Sequence, residues 1–176
     1  KVGWNGIIAL TSIARRRHQM HPSLTREGEV GKLMEPIIEI CERPDESDRE
    51  AILAALDSYN IEVGGPYHYE PVAVLIRESE TGQTLGGLWG ECLYDWLFIK
   101  LLFVPKQLRG RRIGTRLIQT AEQFARVRDC VGIWLDTYEF QAPAFYQSMG
   151  YEVFGSLPDH PKGSRRYFLR KMLAGD

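Results

Sequence analysis

Four arginines crowd one short stretch of the chain: Arg109, Arg111, Arg112 and Arg116. Gly110 and Gly114 lie among them. Guanidinium groups stay charged at physiological pH and bind phosphate oxygens through paired hydrogen bonds. The residues before this stretch are apolar from Trp96 to Val104, apart from Lys100, and close on Pro105. Those after it carry Leu117, Ile118, Ala121, Phe124 and Ala125 at helical spacing. A strand, a basic glycine loop and a helix, in that order, leave free N–H groups at the positive end of a helix, which is how a pyrophosphate is cradled. The plain alternative is an ordinary strand-to-helix connection with a basic face. A P-loop would need Gly-x-x-x-x-Gly-Lys followed by Ser or Thr, and no lysine stands in that place. A Rossmann turn would need three glycines at the start of a βαβ unit; two are present, and a strand-rich segment comes first.

A second cluster lies downstream. Val131-Gly132-Ile133-Trp134-Leu135 reads as a buried strand, and Ala142-Pro143-Ala144-Phe145-Tyr146-Gln147-Ser148-Met149-Gly150-Tyr151 follows it. Pro143 suits the first turn of a helix and Gly150 suits its C-terminal cap. Together the two clusters resemble the signatures of the GNAT superfamily of N-acetyltransferases, Gln/Arg-x-x-Gly-x-Gly/Ala and Ala-x-x-Phe-Tyr-x-x-x-Gly-Phe/Tyr. They come in the family's order, with a helix and a strand between them, and the strand pattern extends the match over about Glu35–Leu173. One place departs: Arg112 stands where the family prefers glycine.

The resemblance implies transfer of an acetyl group from acetyl-CoA to a primary amine, by direct attack in a ternary complex. It assigns Arg109, Gly110, Arg111, Arg112, Ile113, Gly114 and Thr115 to the coenzyme's pyrophosphate. A backbone N–H near Leu102 or Phe103 would meet the developing oxyanion. A strand bulge is expected there, which would let the pantetheine arm pair with backbone near Val104. Tyr146 takes the place of the tyrosine that protonates the leaving thiolate. The alternative is a non-catalytic acyl-CoA-binding or interaction module; Arg112 is compatible with it, whereas Tyr146 argues against it.

The amine must also lose a proton, and Glu91, Asp95, Asp136 and Glu139 all lie near expected strand ends or loops. Glu91 is the candidate base, beside a plain reading as a solvated strand carboxylate. Asp95 and Asp136 are candidate substrate anchors. Tyr67 and His68, in an aromatic loop with Tyr69, could wall the acceptor site together with Trp89, and such rings would suit a cationic amine. The acceptor is a small-molecule or peptide amine that the family pattern does not specify. Cys92 reads as a strand residue rather than a nucleophile.

These groups need elements to hold them. Ile37-Ile38-Glu39-Ile40-Cys41 suggests a first strand. Asp48 is placed to cap a helix with Ile52, Leu53, Ala55 and Leu56 on its apolar face. Pro71–Glu78 and Thr84–Leu93 read as a hairpin turning at Glu80-Thr81-Gly82-Gln83, and Tyr94-Asp95 turns into the strand ending at Val104. A last strand covers Arg166–Met172. The expected order is β-α-β-β-β-α-β-α-β-β. This is an α+β fold: a mixed, mostly antiparallel sheet of six to seven strands with helices on both faces. By resemblance, the strands ending at Val104 and Leu135 run parallel and splay apart around the coenzyme.

Length and charge narrow the class further. A chain of 176 residues with a net charge of −1 is long enough to bury a core and gives no case for nucleic acid or an acidic membrane. Three widely spaced cysteines form neither a metal pattern nor a disulfide framework, which points to a reducing cytoplasm. No apolar run reaches the roughly 20 residues of a membrane helix. Residues 1–33 differ from the rest and read as an arm or upstream extension, with 34–176 as the acetyltransferase domain. An arm that packs on a second copy would make a homodimer. The run Arg15-Arg16-Arg17 lacks interleaved aromatics and is a weak signal for nucleic acid.

Overall fold

An aspartate opens the first regular element in the computed structural model, which describes residues 36–173. Helix α1 spans Glu46–Gly64. The Asp45 carboxylate accepts from the N–H groups of Ser47 and Asp48, and Asp48 accepts in return from the Asp45 N–H. This reciprocal box satisfies donors that the helix itself cannot pair. The cap is therefore Asp45 rather than Asp48, which sits at the third helical position. Among the described residues, no residue of α1 is buried, and Ile52 is 71% exposed. The expected first strand at Ile37–Cys41 is absent; these residues take no regular structure and Ile38 is 96% exposed. A run of five apolar-rich residues forms a strand only against a partner ladder, and among the described residues it has none. The chain divides into two units at Gly65/Pro66, and α1 belongs to the first. The expected boundary at residue 33/34 lies outside the described residues.

The second unit is a sheet with two helices. Strands β1 (Tyr69–Arg77), β2 (Thr84–Leu93) and β3 (Trp96–Phe103) form an antiparallel meander. Helix α2 (Ile113–Val127) crosses to β4 (Gly132–Tyr138), which lies parallel to β3. Helix α3 (Pro143–Ser148) then leads to β5 (Glu152–Pro158) and β6 (Arg165–Met172). The spatial order is β1-β2-β3-β4-β6-β5, with β3–β4 the parallel pair. Six strands agree with the lower of the two expected numbers.

Alternation decides which face is covered. Leu88, Leu97, Ile99, Ile133, Leu135 and Leu169 point to one face and are nearly inaccessible. Leu117, Ile118, Ala121 and Ala125 of α2 close over them, one helical face against one sheet face. Tyr146 of α3 joins the same core. Two thiols sit inside it: the Sγ atoms of Cys92 and Cys130 are 3.7 Å apart. Burial is the main cause that pushes the Cys92 thiol up to about 12, so it is no thiolate nucleophile at neutral pH. Among the described residues, no helix is long and apolar enough to cross a membrane, and no cluster of three acidic, histidine or cysteine side chains is placed to hold a metal.

Candidate active site

The site begins where two strands part. β3 and β4 pair from Trp96↔Gly132 to Ile99↔Leu135, and the parallel register ends there. At the same point β3 loses step with its other neighbour. Gly90 pairs with Ile99, but Trp89 pairs with Leu101, so Lys100 is an extra residue opposite the β2 backbone. This is a β-bulge, and it sits at Lys100 rather than at the expected Leu102 or Phe103. The difference has a physical cause: beyond the bulge, Leu102 and Val104 must return to the helix-covered face, where both pack on the core. The bulge resets the alternation before they do. Past Ile99, the β3 edge that faced β4 has no strand partner among the described residues, so alternate residues of β3 there turn unpaired backbone groups toward a ligand. The Val104 carbonyl accepts from Arg109 Nε at 3.1 Å, tying the loop to the strand end.

The loop beyond Pro105 turns through one 3-10 segment, Lys106–Leu108, and then through two left-handed residues. Gly110 has φ +76°, and a side-chain atom there would meet nothing within 4 Å. Arg112, the N-cap of α2, has φ 58° and ψ 19°. This is the conformation that costs a residue with a Cβ about 1–2 kcal/mol and that glycine takes freely. A glycine at this place would meet no such cost, and the chain adopts the left-handed turn with arginine there. Arg112→Gly is expected to leave thermal stability unchanged or raise it by up to about 1 kcal/mol. A drop of that size in a melting experiment would show that the Arg112 side chain stabilises the loop.

The α2 N-terminus carries no side-chain cap. Its first intrahelical donor is the Arg116 N–H, bonded to the Arg112 carbonyl, so the N–H groups of Ile113, Gly114 and Thr115 find no acceptor among the described residues. The arginines 109, 111, 112 and 116 around them are exposed. Unpaired donors, the positive end of a helix dipole and exposed guanidinium groups fit a pyrophosphate. Gly114 has a further use. A Cβ there would stand 3.3 Å from the Phe145 ring, so its absence lets α2 and α3 meet closely.

Tyr146 lies on α3, only 8% exposed, edge-on to Phe145 and Tyr151. Burial first, and the Asp136 carboxylate second, push its phenol up to about 12. It is therefore a fully protonated donor at neutral pH.

Two carboxylates flank the fork on the other sheet face, and each already holds a cation. Glu91 is 4% exposed, and its Oε2 is 2.6 Å from Lys100 Nζ. The first residue of β4 past the last parallel pair is Asp136, whose Oδ2 meets Arg166 Nη2 at 2.5 Å and Nε at 2.7 Å. Arg166 is itself 6% exposed, its guanidinium between the rings of Tyr138 and Phe168. Lys100 and Arg166 were not among the expected site residues. Lys100 leaves a trace in the sequence as a lone charge in the apolar run; Arg166 leaves none.

Other expected residues lie elsewhere. Asp95 is in the β2–β3 turn, at the start of β3, where its carbonyl accepts from the Val131 N–H. That is roughly 16 Å along the strand from Lys100, at about 3.3 Å per residue. Tyr67 packs on Tyr94 of the same turn, with ring centres 5.3 Å apart, and His68 follows it just before the Tyr69↔Leu93 pair. The meander direction puts Tyr67, His68 and Asp95 at the closed end of the sheet, away from the fork. Trp89 does reach the fork: it opposes Leu101 beside the bulge and is 47% exposed. Glu139 is exposed beyond β4.

A family model described as an acetyltransferase (GNAT) domain matches residues 70–153, which contain the fork, the loop and α3. A blasticidin-S acetyltransferase of Streptomyces morookaense is 43% identical over 96 residues, covering 54% of this chain and 71% of that one. An acetyltransferase of Agrobacterium fabrum is 34% identical over 127 residues, 72% of this chain and 92% of that one. The crystal structure of an acetyltransferase from Bacillus cereus superimposes with a TM-score of 0.69 at 30% identity, covering 77% and 98% of the two chains.

Proposed function

The chain belongs to the GNAT acetyltransferase family and is an acyl-CoA-dependent N-acetyltransferase, and on that premise we propose that it acetylates a primary amine by direct attack in a ternary complex. The observation that supports this reading is the fork: β3 bulges and parts from β4 just before the loop into the uncapped N-terminus of α2, and Tyr146 is buried in the core that α2 covers. Acetyl-CoA, when bound, supplies the acetyl group as a thioester. The residues from Arg109 to Thr115 hold the pyrophosphate through backbone N–H groups and guanidinium charge. The free β3 edge at Leu102 and Phe103 positions the arm and gives an N–H to the carbonyl oxygen as it gains charge. The acceptor nitrogen forms its bond to the carbonyl carbon, loses a proton, and the carbon–sulfur bond breaks. Tyr146 gives the departing sulfur a proton. Glu91 lies beside the bulge and takes up the amine's proton, directly or through water. Trp89 and Asp136 flank the acceptor.

The name of the Streptomyces relative supports a small molecule as acceptor. The test has two parts. Calorimetric titration with coenzyme A should give saturable one-to-one binding. Gly110→Asp places a carboxylate against the pyrophosphate, so affinity should fall by about tenfold or more; Gly110→Asn, which bears the same strain at φ +76° without the charge, should lose less. Wild-type affinity in Gly110→Asp would remove the loop from the coenzyme site. Thiol release with a panel of small-molecule amines then reads turnover, and binding without any turnover would favour a non-catalytic acyl-CoA-binding module.

A further inference from the structure

We propose that Lys100 selects the charge state of the acceptor: by occupying Glu91 at the fork, it sets the site for a weakly basic primary amine that enters uncharged rather than as an alkylammonium. The inference rests on the acetyl-transfer reading of the fork. The bulge makes Lys100 the first β3 residue past the last parallel pair. The coenzyme loop and α2 lie on the helix-covered face of the sheet. Lys100 points to the opposite face, where its Nζ meets Glu91 and lies 6.0 Å from the Phe98 ring. An acceptor reaching the thioester from that face meets the ammonium of Lys100 at once.

The charges around this point balance in pairs. Glu91 on β2 holds Lys100 of β3, and Asp136 on β4 holds Arg166 of β6; Tyr146 from α3 is protonated. Among the described residues, both carboxylates at the fork are already paired with a cation. A second ammonium brought within a few ångströms of Lys100 is repelled, and with solvent partly excluded that repulsion is worth a large factor in binding. A neutral amine meets no such barrier and keeps the lone pair that attack requires. Amines next to a carbonyl or another electron-withdrawing group are of this kind. Lys100 thus acts on specificity through charge and through the carboxylate it holds.

The experiment compares two small amines of similar size, glycinamide (weakly basic) and n-propylamine (an alkylammonium at pH 7), as acceptors for the same acetyl-CoA-loaded protein. Wild type is expected to acetylate glycinamide with the higher kcat/KM. Lys100→Gln keeps a hydrogen-bond donor for Glu91 but frees its charge; selectivity should move toward n-propylamine by about tenfold or more, chiefly through KM. Lys100→Arg, which keeps the charge, should hold the wild-type preference, whereas Lys100→Met, which keeps the stem without the charge, should shift as Lys100→Gln does. Should Lys100→Gln fold poorly, Lys100→Ser, a smaller neutral side chain that leaves Glu91 in place, should show the same shift toward n-propylamine. A wild-type preference for n-propylamine, or an unchanged ratio in Lys100→Gln and in Lys100→Ser, would overturn the inference while leaving acetyl transfer intact. Loss of coenzyme A binding in the wild type would instead overturn the acetyl-transfer reading, and this inference with it.

Discussion

Tyr146→Phe is expected to lower kcat by about ten- to a thousandfold and to leave coenzyme affinity nearly unchanged, the usual range for removal of a positioned proton donor. The hydroxyl is the only group lost. Phenylalanine keeps the edge contacts to Phe145 and Tyr151, so α3 should stay in place. Full turnover in the variant would take Tyr146 out of the mechanism. A second readout comes from alkaline stability. The folded-state value is raised to about 12 from an ordinary 10. The stabilisation tied to the proton is therefore whole below pH 10 and is lost as pH rises toward 12. Two units amount to roughly 3 kcal/mol. Stability of the wild type should fall more steeply than that of Tyr146→Phe across that window. Parallel curves would mean that the phenol titrates normally.

The second large effect is on folding. Arg166→Met should destabilise the protein by about 3–5 kcal/mol, because it leaves the Asp136 carboxylate in a largely buried setting without its cation. The guanidinium is held on both sides by the rings of Tyr138 and Phe168, so no neighbouring cation replaces it. Asp136→Asn/Arg166→Met removes both charges and should recover most of the loss. Chemical denaturation of the three proteins reads this directly. A loss below about 1 kcal/mol in the single variant would mean that the pair behaves like a surface ion pair. The single variant should also transfer acetyl more slowly, since an uncompensated charge on Asp136 would hold the Tyr146 proton more tightly.

The loop and α2 could be read from the sequence because local rules decide them. Arginines, two glycines and an apolar stripe at helical spacing need no partner to be recognised. Family membership and the coenzyme followed from the same residues. The bulge at Lys100 could not be placed, since a bulge is a mismatch between two strands and shows only when their register is known. The ion pair of Asp136 with Arg166 joins residues far apart in sequence and exists only after β4 and β6 pair. Tyr67, His68 and Asp95 were expected near the acceptor because they are polar or aromatic and lie near strand ends. Counting reversals would have corrected this: each hairpin turns the chain around, so the turn before β3 lies at the opposite end from the close of β3. The strand expected at Ile37–Cys41 fails differently, and α1 forms as expected but buries none of its residues. Their apolar patterns state what they could bury, and a pattern alone does not supply the surface to bury it on.

One feature of the sheet bears on its mechanics. Two antiparallel sets, β1-β2-β3 and β4-β6-β5, are joined in the sheet by four residue pairs, Trp96–Ile99 against Gly132–Leu135. The Trp96 ring lies where a Cβ on Gly132 would be, so the join is closely packed at its closed end and free at the other. Helix α2 packs against strands of both sets, so the join is held from one face as well as by its four pairs. A molecule that touches the β3 edge on one side and the β4 end on the other works as a clasp. Part of its binding energy then reappears as stability of the whole sheet.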